Sequence, residues 1–419
     1  MLGFFVGNVI IRFMLKFPQG FLWGAATSSH QVEGDNVYND WWKFEQEGKI
    51  KYSSGAACRH YQLYPDDFDL AKSLNHNCHR FSIEWSRIQP QENEFSQKEI
   101  NHYKEVISAL RQRGLEPVVT LHHFTNPAWF TQSGGWENRK SAKQFLAYAE
   151  KIVEALAADV RYWVTINEPL IYTHFSYLIG DWPPQKKSLL AAYRVRNNLA
   201  RAHILAYRLI RKIYLKKNLP LPLISIASHT QAITTCRPNL INKLSCFARD
   251  QLYNFAFVDK LFRAGTLDYI GINYYSRNLV DVKEWGIDKF FFQACGDNCD
   301  PRERNSLGWE IYPEGLYDLL TKFKKYNLPI LITENGICTE DDHQRWRYIQ
   351  GHLESVVKAL GRGVKVIGYI YWSLLDNFEW DKGFRPRFGL IEVDYQTFER
   401  KVRPSALKLA QVCRTSILE

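Results

Sequence analysis

Eight short runs of apolar or β-branched residues recur along the chain, and amphipathic helical patterns lie between most of them. Each run ends in polar or aromatic residues. Strands that are buried by covering helices are typically short and almost continuously apolar. The alternation therefore predicts the α/β class and a (β/α)8 TIM barrel, a closed barrel of eight parallel strands surrounded by helices. The runs are residues 21–27, 79–85, 117–123, 162–168, 223–229, 267–275, 329–334 and 366–372.

The length of the chain allows either one large domain or two smaller ones. Its 419 residues exceed an ordinary domain, but barrels of this type often grow as one unit beyond their usual size of about 250 residues. No linker rich in Pro, Gly or Ser divides the chain. We therefore expect one barrel domain with elaborated loops over residues 14–419. Residues 1–13 are expected to be an N-terminal extension, because MLKFPQGFLWG from Met14 is a natural beginning for the domain.

Capping residues mark the ends of two predicted helices. Ser96 followed by Glu99 forms a capping box, and Gly114 supplies a left-handed end for the same helix. Ser141 with Gln144 predicts a second capping box at the start of a later helix. Both segments therefore carry local start signals that do not depend on tertiary contacts.

The chain is basic, with a net charge of +10, and much of the excess lies in residues 186–217. This segment has ten Lys and Arg residues and no Asp or Glu. Apolar residues recur in it at helical spacing, which predicts a long amphipathic helix with a basic outer face. Because no stacking aromatics or glycine-rich loop accompany the charges, a solvated face is favoured over nucleic-acid contact. We predict no nucleic-acid partner.

Membrane insertion, metals and cofactors are not predicted. The first fifteen residues are apolar but too short to span a bilayer, and they lack the cleavage site of a signal peptide. The eight cysteines are scattered, which predicts free thiols in a reducing compartment and hence a cytoplasmic protein. Cys295 and Cys299 have no second Cys or His pair at a suitable spacing, which favours a surface loop over a metal site.

The carboxyl ends of the predicted strands carry an unusual set of polar and aromatic side chains. Glu168 in TINEP and Glu334 in ITENG each end a buried strand, where a carboxylate must be paired or used. Strands four and seven lie nearly opposite each other, so the two carboxylates would face each other across the mouth. Hydrolysis of a glycosidic bond requires such a pair, and two unrelated ion pairs are the structural alternative. The set is Gln31, Arg80, Glu84, His122, His123, Asn167, Glu168, Asn273, Tyr275, Glu334, Trp372, Glu379 and Trp380.

Longer motifs surround these residues in a characteristic order. In these motifs the chain resembles glycoside hydrolase family 1 from Phe17 to its end. The resemblance implies a retaining β-glycosidase that hydrolyses small β-glycosides or oligosaccharides with terminal glucose, and also galactose or fucose, through a covalent glycosyl-enzyme. It implies no cofactor, and it does not indicate the oligomeric state. The motifs are FPQGFLWGAATSSHQVEG, HRFSIEWSRIQP, VVTLHHF, YWVTINEP, DYIGINYYS, GWEIYPEGL, ILITENG and YWSLLDNFEW.

The resemblance also implies a role for each residue of the site. Glu168 would be the general acid/base, and Glu334 would be the nucleophile. Arg80 would hold Glu334 ionised, Tyr275 would hydrogen-bond it, and Asn273 would support the pair. The innermost sugar would lie among Gln31, His123, Asn167, Trp372, Glu379 and Trp380.

The chemistry of these residues supports the implied roles. A guanidinium beside Glu334 favours a charged nucleophile, whereas Glu168 facing that negative charge should keep its proton near neutral pH. The chain is 15% aromatic, and Trp372 and Trp380 offer ring faces to the C–H groups of a sugar. Trp309 in GWEIYP is expected to form the platform for the leaving group.

Three alternatives to a hydrolase of unphosphorylated glycosides are compatible with the sequence. They are a 6-phospho-β-glycosidase, a transglycosylase in which a sugar intercepts the covalent intermediate, and a non-catalytic, receptor-like member of the family. Receptor-like members lose one carboxylate, whereas this chain has both Glu168 and Glu334. Glu379 would repel a 6-phosphate. Phe124 stands where the family pattern has Trp, and because Phe cannot donate a hydrogen bond we expect broad sugar specificity.

Overall fold

Each of the eight apolar runs overlaps one strand of a closed parallel barrel, which confirms the predicted fold. The computed structural model describes residues 15–284 and 302–418, together with short paired strands at Phe5–Val6 and Val9–Ile10. Each barrel strand pairs with the next in chain order, and the last pairs with the first. The barrel strands are Leu22–Ala26 (β1), Cys78–Ser82 (β2), Glu116–Thr120 (β3), Tyr162–Asn167 (β4), Leu223–Thr234 (β5), Ile270–Leu279 (β6), Ile330–Asn335 (β7) and Val366–Trp372 (β8).

Helices cover the outside of the barrel, and shorter elements occupy the loops at the carboxyl ends of the strands. The loops after the strands form the mouth of the barrel, where such folds carry their active sites. The long helices are His60–Ser73, Gln97–Gln112, Ser141–Leu156, Leu189–Lys216, Leu240–Asp250, Ala256–Arg263, Pro313–Phe323, Asp342–Gly361 and Pro404–Thr415. The shorter α-helices are Ser29–Val32, Asp40–Gln46, Trp85–Ile88, Ala128–Gln132 and Pro169–Thr173, and two π-helical turns are His174–Leu178 and Gln251–Phe255.

Two further antiparallel strand pairs lie outside the barrel. Leu15–Lys16 pairs with Ile417–Leu418, and Ile391–Val393 pairs with Arg400–Val402. The first pair joins the beginning of the described domain to the segment after its last helix. The start of the domain at Met14 stays a prediction, because residues 11–14 lie outside the described residues.

One of the two predicted helix caps is confirmed and the other is wrong. The Ser96 side chain accepts a hydrogen bond from the Glu99 backbone N–H, and Gly114 has a φ of +67°. Ser141 is already the first helical residue, and no side chain caps this helix. The reason is the preceding turn, in which Asn138 accepts bonds from the backbone N–H groups of Lys140 and Ser141. The helix therefore begins at Ser141 itself, one residue earlier than it would if Ser141 were the capping residue.

The basic segment forms the predicted long helix, Leu189–Lys216, whose first turn is capped by the Ser188 side chain. Val195, Leu199, Ile210 and Ile213 are buried on its inner side, while Arg201, Arg208 and Lys212 are exposed. Among the described residues, no helix is long and apolar enough to cross a membrane.

The prediction of eight free thiols is wrong at Cys236. Cys236 is disulfide-bonded, and Cys295 and Cys299 lie outside the described residues. Spacing along the chain could not show this bond, because a disulfide requires only that two sulfur atoms meet in space. The free cysteines of the described residues are Cys58, Cys78, Cys246, Cys338 and Cys413.

A packed layer of side chains fills the inside of the barrel beneath the mouth. It includes Val118, Val164, Ala227, Leu331 and Ile370, which are fully buried. Such a layer closes the bottom of the barrel. Polar side chains one layer higher therefore point into a cavity that opens only at the mouth.

Candidate active site

Arg80, on β2, organises the centre of the mouth. It is only 1% exposed, and its guanidinium contacts the Glu334 carboxylate. Nη1 also donates to the Thr333 carbonyl oxygen at 3.1 Å, and Nη2 donates to Asn167 Oδ1 at 2.7 Å. Nε donates to Thr120 Oγ1 at 3.2 Å. With every nitrogen bonded, the guanidinium is held rigidly against the carboxylate.

Glu334 is the second-last residue of β7 and is 3% exposed. Arg80 contacts its Oε1 atom, and the Tyr275 hydroxyl donates to Oε2 at 2.5 Å. Burial, followed by the nearby charge of Glu334, raises the pKa of Tyr275 well above its usual value, so the phenol remains a donor. Each oxygen of this carboxylate is thus held by a donor, one by a guanidinium and the other by a phenol hydroxyl.

An irregularity in β7 explains how two neighbouring residues both serve this site. The pairing register with β6 shifts between Ile332 and Glu334. Strict alternation would send adjacent side chains to opposite faces, whereas a shift of this kind re-aims one of them. Thr333 can therefore donate to Asn273 Oδ1 at 2.6 Å while Glu334 reaches Arg80.

Glu168 follows β4 in a left-handed backbone conformation with a φ of +44°. Such a conformation costs a non-glycine residue about 1–2 kcal/mol, so surrounding contacts must hold it. One of these contacts is the bond from the Glu168 backbone N–H to the Ala227 carbonyl oxygen on β5, at 2.7 Å. Pro169 then begins the next helix. The turn presents Asn167 and Glu168, two consecutive residues, to the same cavity.

The environment of Glu168 differs in charge from that of Glu334. Its Oε1 accepts a bond from Asn273 Nδ2, a neutral donor, at 2.8 Å. Burial, and then the negative charge of Glu334, raise the pKa of Glu168 well above its usual value. Two nearby carboxyl groups in different environments can thus differ in protonation, and the raised pKa favours the protonated form of Glu168.

His123, in the loop after β3, lies between Asn167 and the aromatic side chains of the cavity. Its ring stacks against Trp372 at 5.8 Å and against Trp380 at 6.3 Å. Burial, and then the charge of Arg80, lower its pKa well below the usual value, so the ring is neutral. Nε2 contacts Asn167 Nδ2 at 3.2 Å, and Nδ1 has no partner among the described residues. A neutral ring that accepts at Nε2 carries its proton at Nδ1, where it can donate to a ligand.

Glu379 occupies the far side of the aromatic cluster. Trp372 Nε1 donates to its Oε1 at 3.3 Å. Burial raises the pKa of Glu379 to about 8, and the charge of Glu334 acts in the same direction. The carboxyl group of Glu379 therefore lies close enough to Glu334 for the two groups to interact electrostatically.

Gln31 supports this region from beneath and is fully buried. Its amide nitrogen donates to Asn377 Oδ1 at 3.0 Å and to the Phe378 carbonyl oxygen at 2.9 Å, and its Oε1 accepts from Ser28. Both amide hydrogens are thus used within the protein. In this arrangement Gln31 positions the loop that carries Glu379 and can offer a ligand only an acceptor.

Phe124 and Trp380 complete the apolar wall, and both have a positive φ. Phe124 is 4% exposed and packs against Trp182 at 5.1 Å and Trp380 at 5.4 Å. The next residue, Thr125, donates to Glu84 at 2.9 Å and so takes part in structure rather than in the cavity. Phe124 therefore offers the cavity shape without a hydrogen bond.

Trp309 lies at the outer edge of the cavity and is 38% exposed. Its ring centre lies 5.8 Å from that of Tyr275 and 6.1 Å from that of Phe388. This exposed ring, beside the tyrosine that donates to Glu334, is suitably placed for the part of a ligand that extends out of the mouth.

The structure thus joins the predicted site residues into one network and adds several that sequence reasoning missed. Phe388 and His229 lie outside the motifs, whereas Thr120 lies in VVTLHHF and Thr333 in ILITENG. Glu84 and His122 instead bond to neighbouring loops, to Ser29 and Asn126 respectively. Within residues 15–284 and 302–418, no three His, Cys, Asp or Glu side chains form a group that could hold a metal ion.

Comparison with known proteins identifies the family. The model of glycosyl hydrolase family 1 matches residues 14–266 and 239–416. Beta-glucosidase A of Thermotoga maritima is 32% identical, covering 96% of this chain and 99% of its own length. A beta-galactosidase of Pyrococcus woesei is 30% identical, covering 94% of this chain and 96% of its own. The structure of a beta-glycosidase from Pyrococcus horikoshii superposes with a TM-score of 0.89 at 41% identity, covering 97% of both chains. The chain therefore belongs to glycosyl hydrolase family 1 and is a β-glucosidase-like glycosidase, as the sequence motifs predict.

Proposed function

We propose that this protein is a retaining β-glycosidase that releases terminal β-linked glucose, galactose or fucose by double displacement. Glu334 attacks the anomeric carbon while Glu168 gives its proton to the departing glycosidic oxygen. Water then attacks the glycosyl-enzyme ester and loses a proton to Glu168, which frees Glu334. Asn167 and His123 would bind hydroxyls of the sugar, and Trp372 and Trp380 its C–H faces.

The observation that carries this proposal is the electrostatic difference between the two carboxylates. Glu334 contacts a guanidinium and a phenol hydroxyl, whereas the only side-chain donor to Glu168 among the described residues is the neutral amide of Asn273. An unpaired nucleophile or an ionised acid would fail in the first step. The arrangement supplies one charged and one protonated carboxyl group at the same pH.

Retention of configuration tests the mechanism. Proton NMR of p-nitrophenyl β-glucoside hydrolysis should show the β-anomer of glucose before mutarotation, because two displacements restore the original stereochemistry. Retaining enzymes hold the two carboxyl groups about 5–5.5 Å apart, which is the separation expected here. Initial release of the α-anomer would show that water attacks directly and would exclude the double displacement.

Glu379 leads us to propose an unphosphorylated sugar in the innermost subsite. Above about pH 8, where this buried carboxyl group is ionised, a 6-phosphate beside it would be repelled strongly. We expect kcat/KM to be higher for p-nitrophenyl β-glucoside than for its 6-phosphate. In Glu379→Ser the ratio should fall by about 10-fold to 100-fold, because the plain sugar loses hydrogen bonds while the phosphate loses a repulsion. A wild-type preference for the phosphate would favour a 6-phospho-β-glycosidase instead.

Two further points stay predictions. Transglycosylation would appear as disaccharide products at high sugar concentration, because the same covalent intermediate can be intercepted by a sugar hydroxyl. The prediction of a cytoplasmic location depends on free thiols, and the disulfide of Cys236 does not fit that prediction.

A further inference from the structure

His229 is a polar residue at the mouth that the proposed mechanism does not use. It lies on β5, two residues after Ala227, whose carbonyl oxygen holds the backbone of Glu168. Successive residues of a strand alternate in direction, so His229 points to the same side as Ala227, one layer nearer the mouth. In the barrel it pairs with Asn273, the residue that donates to Glu168. His229 is therefore beside the general acid.

The contacts of His229 fix one side of its ring and leave the other side open. Its Nδ1 bonds to the Tyr253 hydroxyl, and its ring stacks against Tyr275 at 6.2 Å with an interplanar angle of 19°. Nε2 has no hydrogen-bond partner among the described residues, and it is not one of their enclosed unpaired atoms. The residue as a whole is only partly buried. The free nitrogen thus reaches the open part of the mouth.

His229 lies on the side of the mouth where the leaving group would bind, not on the side of the innermost sugar. The innermost sugar would be bounded by His123, Trp372 and Glu379, which lie in the loop after β3, on β8 and in the loop after β8. His229 lies instead on the side of Glu168, whose proton goes to the leaving oxygen. Burial lowers the pKa of His229 to about 3, so the ring is neutral and its Nε2 is suited to a hydroxyl rather than to an anion.

We infer that His229 is a specificity-determining residue that hydrogen-bonds a hydroxyl of a sugar leaving group through Nε2. The exposed Trp309 ring, which also lies beside Tyr275, would supply an apolar surface to the same group. One polar atom and one aromatic face fit a pyranose better than an aryl or alkyl group. The inference rests on the proposed β-glycosidase activity and names the class of leaving group that the site prefers.

The test compares two substrates that share glucose but differ in the leaving group. In His229→Phe, which keeps an aromatic ring against Tyr275 and removes both nitrogens, kcat/KM for cellobiose should fall about 10-fold. The value for p-nitrophenyl β-glucoside should change less than about 2-fold, because that leaving group offers no hydroxyl to the site. His229→Asn, which keeps a hydrogen-bonding side chain, should recover part of the cellobiose activity.

Each outcome separates the inference from the function on which it rests. If wild-type protein hydrolyses neither substrate, the proposed function fails. If wild-type protein hydrolyses both and His229→Phe lowers both equally, His229 only positions Tyr275 or Glu168 and the inference is wrong. A shift of the pH profile of kcat/KM in His229→Phe would likewise indicate an effect on Glu168 instead of a contact with the leaving group. An unchanged profile with a selective loss on cellobiose supports the inference.

Discussion

Replacing Glu334 by Gln should lower kcat on p-nitrophenyl β-glucoside by about 10,000-fold or more, because the reaction loses its nucleophile. The amide keeps the shape of the side chain and an oxygen that can face Arg80. Replacement by Ala should in addition lower the stability by about 3–5 kcal/mol, because Arg80 is 1% exposed and would be left as an unpaired buried charge. Steady-state kinetics and thermal unfolding measure the two effects separately.

Tyr275→Phe is the matched control for this experiment. It removes the hydroxyl that donates to Glu334 at 2.5 Å and keeps the ring. Loss of one hydrogen bond to a charged group should lower kcat/KM by about 10-fold to 100-fold, far less than loss of the carboxylate. Azide should restore activity in Glu334→Ala by attacking the anomeric carbon from the vacated side, giving an α-glycosyl azide. Near-normal activity in Glu334→Gln would mean that another group is the nucleophile.

Replacing Glu168 by Ala should lower kcat/KM about 100-fold to 10,000-fold for cellobiose, because an alcohol leaves poorly without a proton. A dinitrophenyl glucoside should lose much less in the first step, since its leaving group needs little protonation. Azide rescue should here give the β-glycosyl azide, through attack on the glycosyl-enzyme. Equal losses on both substrates would argue against an acid/base role for Glu168.

The pH dependence of kcat/KM gives a second measurement of the same residue. Burial and the charge of Glu334 raise the pKa of Glu168, so its acid form persists at neutral pH. Activity should fall as the pH rises through this pKa, and Glu168→Ala should lose that basic limb. The hydrogen bond from Asn273 lowers the pKa by stabilising the carboxylate. Asn273→Ala should therefore move the basic limb to higher pH, and a shift to lower pH would contradict the assignment.

Patterns of the sequence determined the fold and the identity of the two carboxylates. Apolar runs of strand length alternate with helical patterns, and each run overlaps a barrel strand because a buried strand requires apolar residues. Glu168 and Glu334 stand out because an acid at the end of a buried run is costly unless it is used. The cap at Ser96 was predictable because it depends only on neighbours in the chain.

The tertiary structure alone decided contacts between residues far apart in the sequence. A register shift in β7 lets Thr333 and Glu334 serve one site, which strict alternation would forbid. The bond of Cys236, and the donors of Gln31 turned toward Asn377 and Phe378, depend on which segments the barrel brings together. The place of His229 beside Asn273 and Tyr275 follows from the pairing of β5 with β6. Local patterns record whether a residue is buried, whereas closure of the barrel decides which side chains it meets.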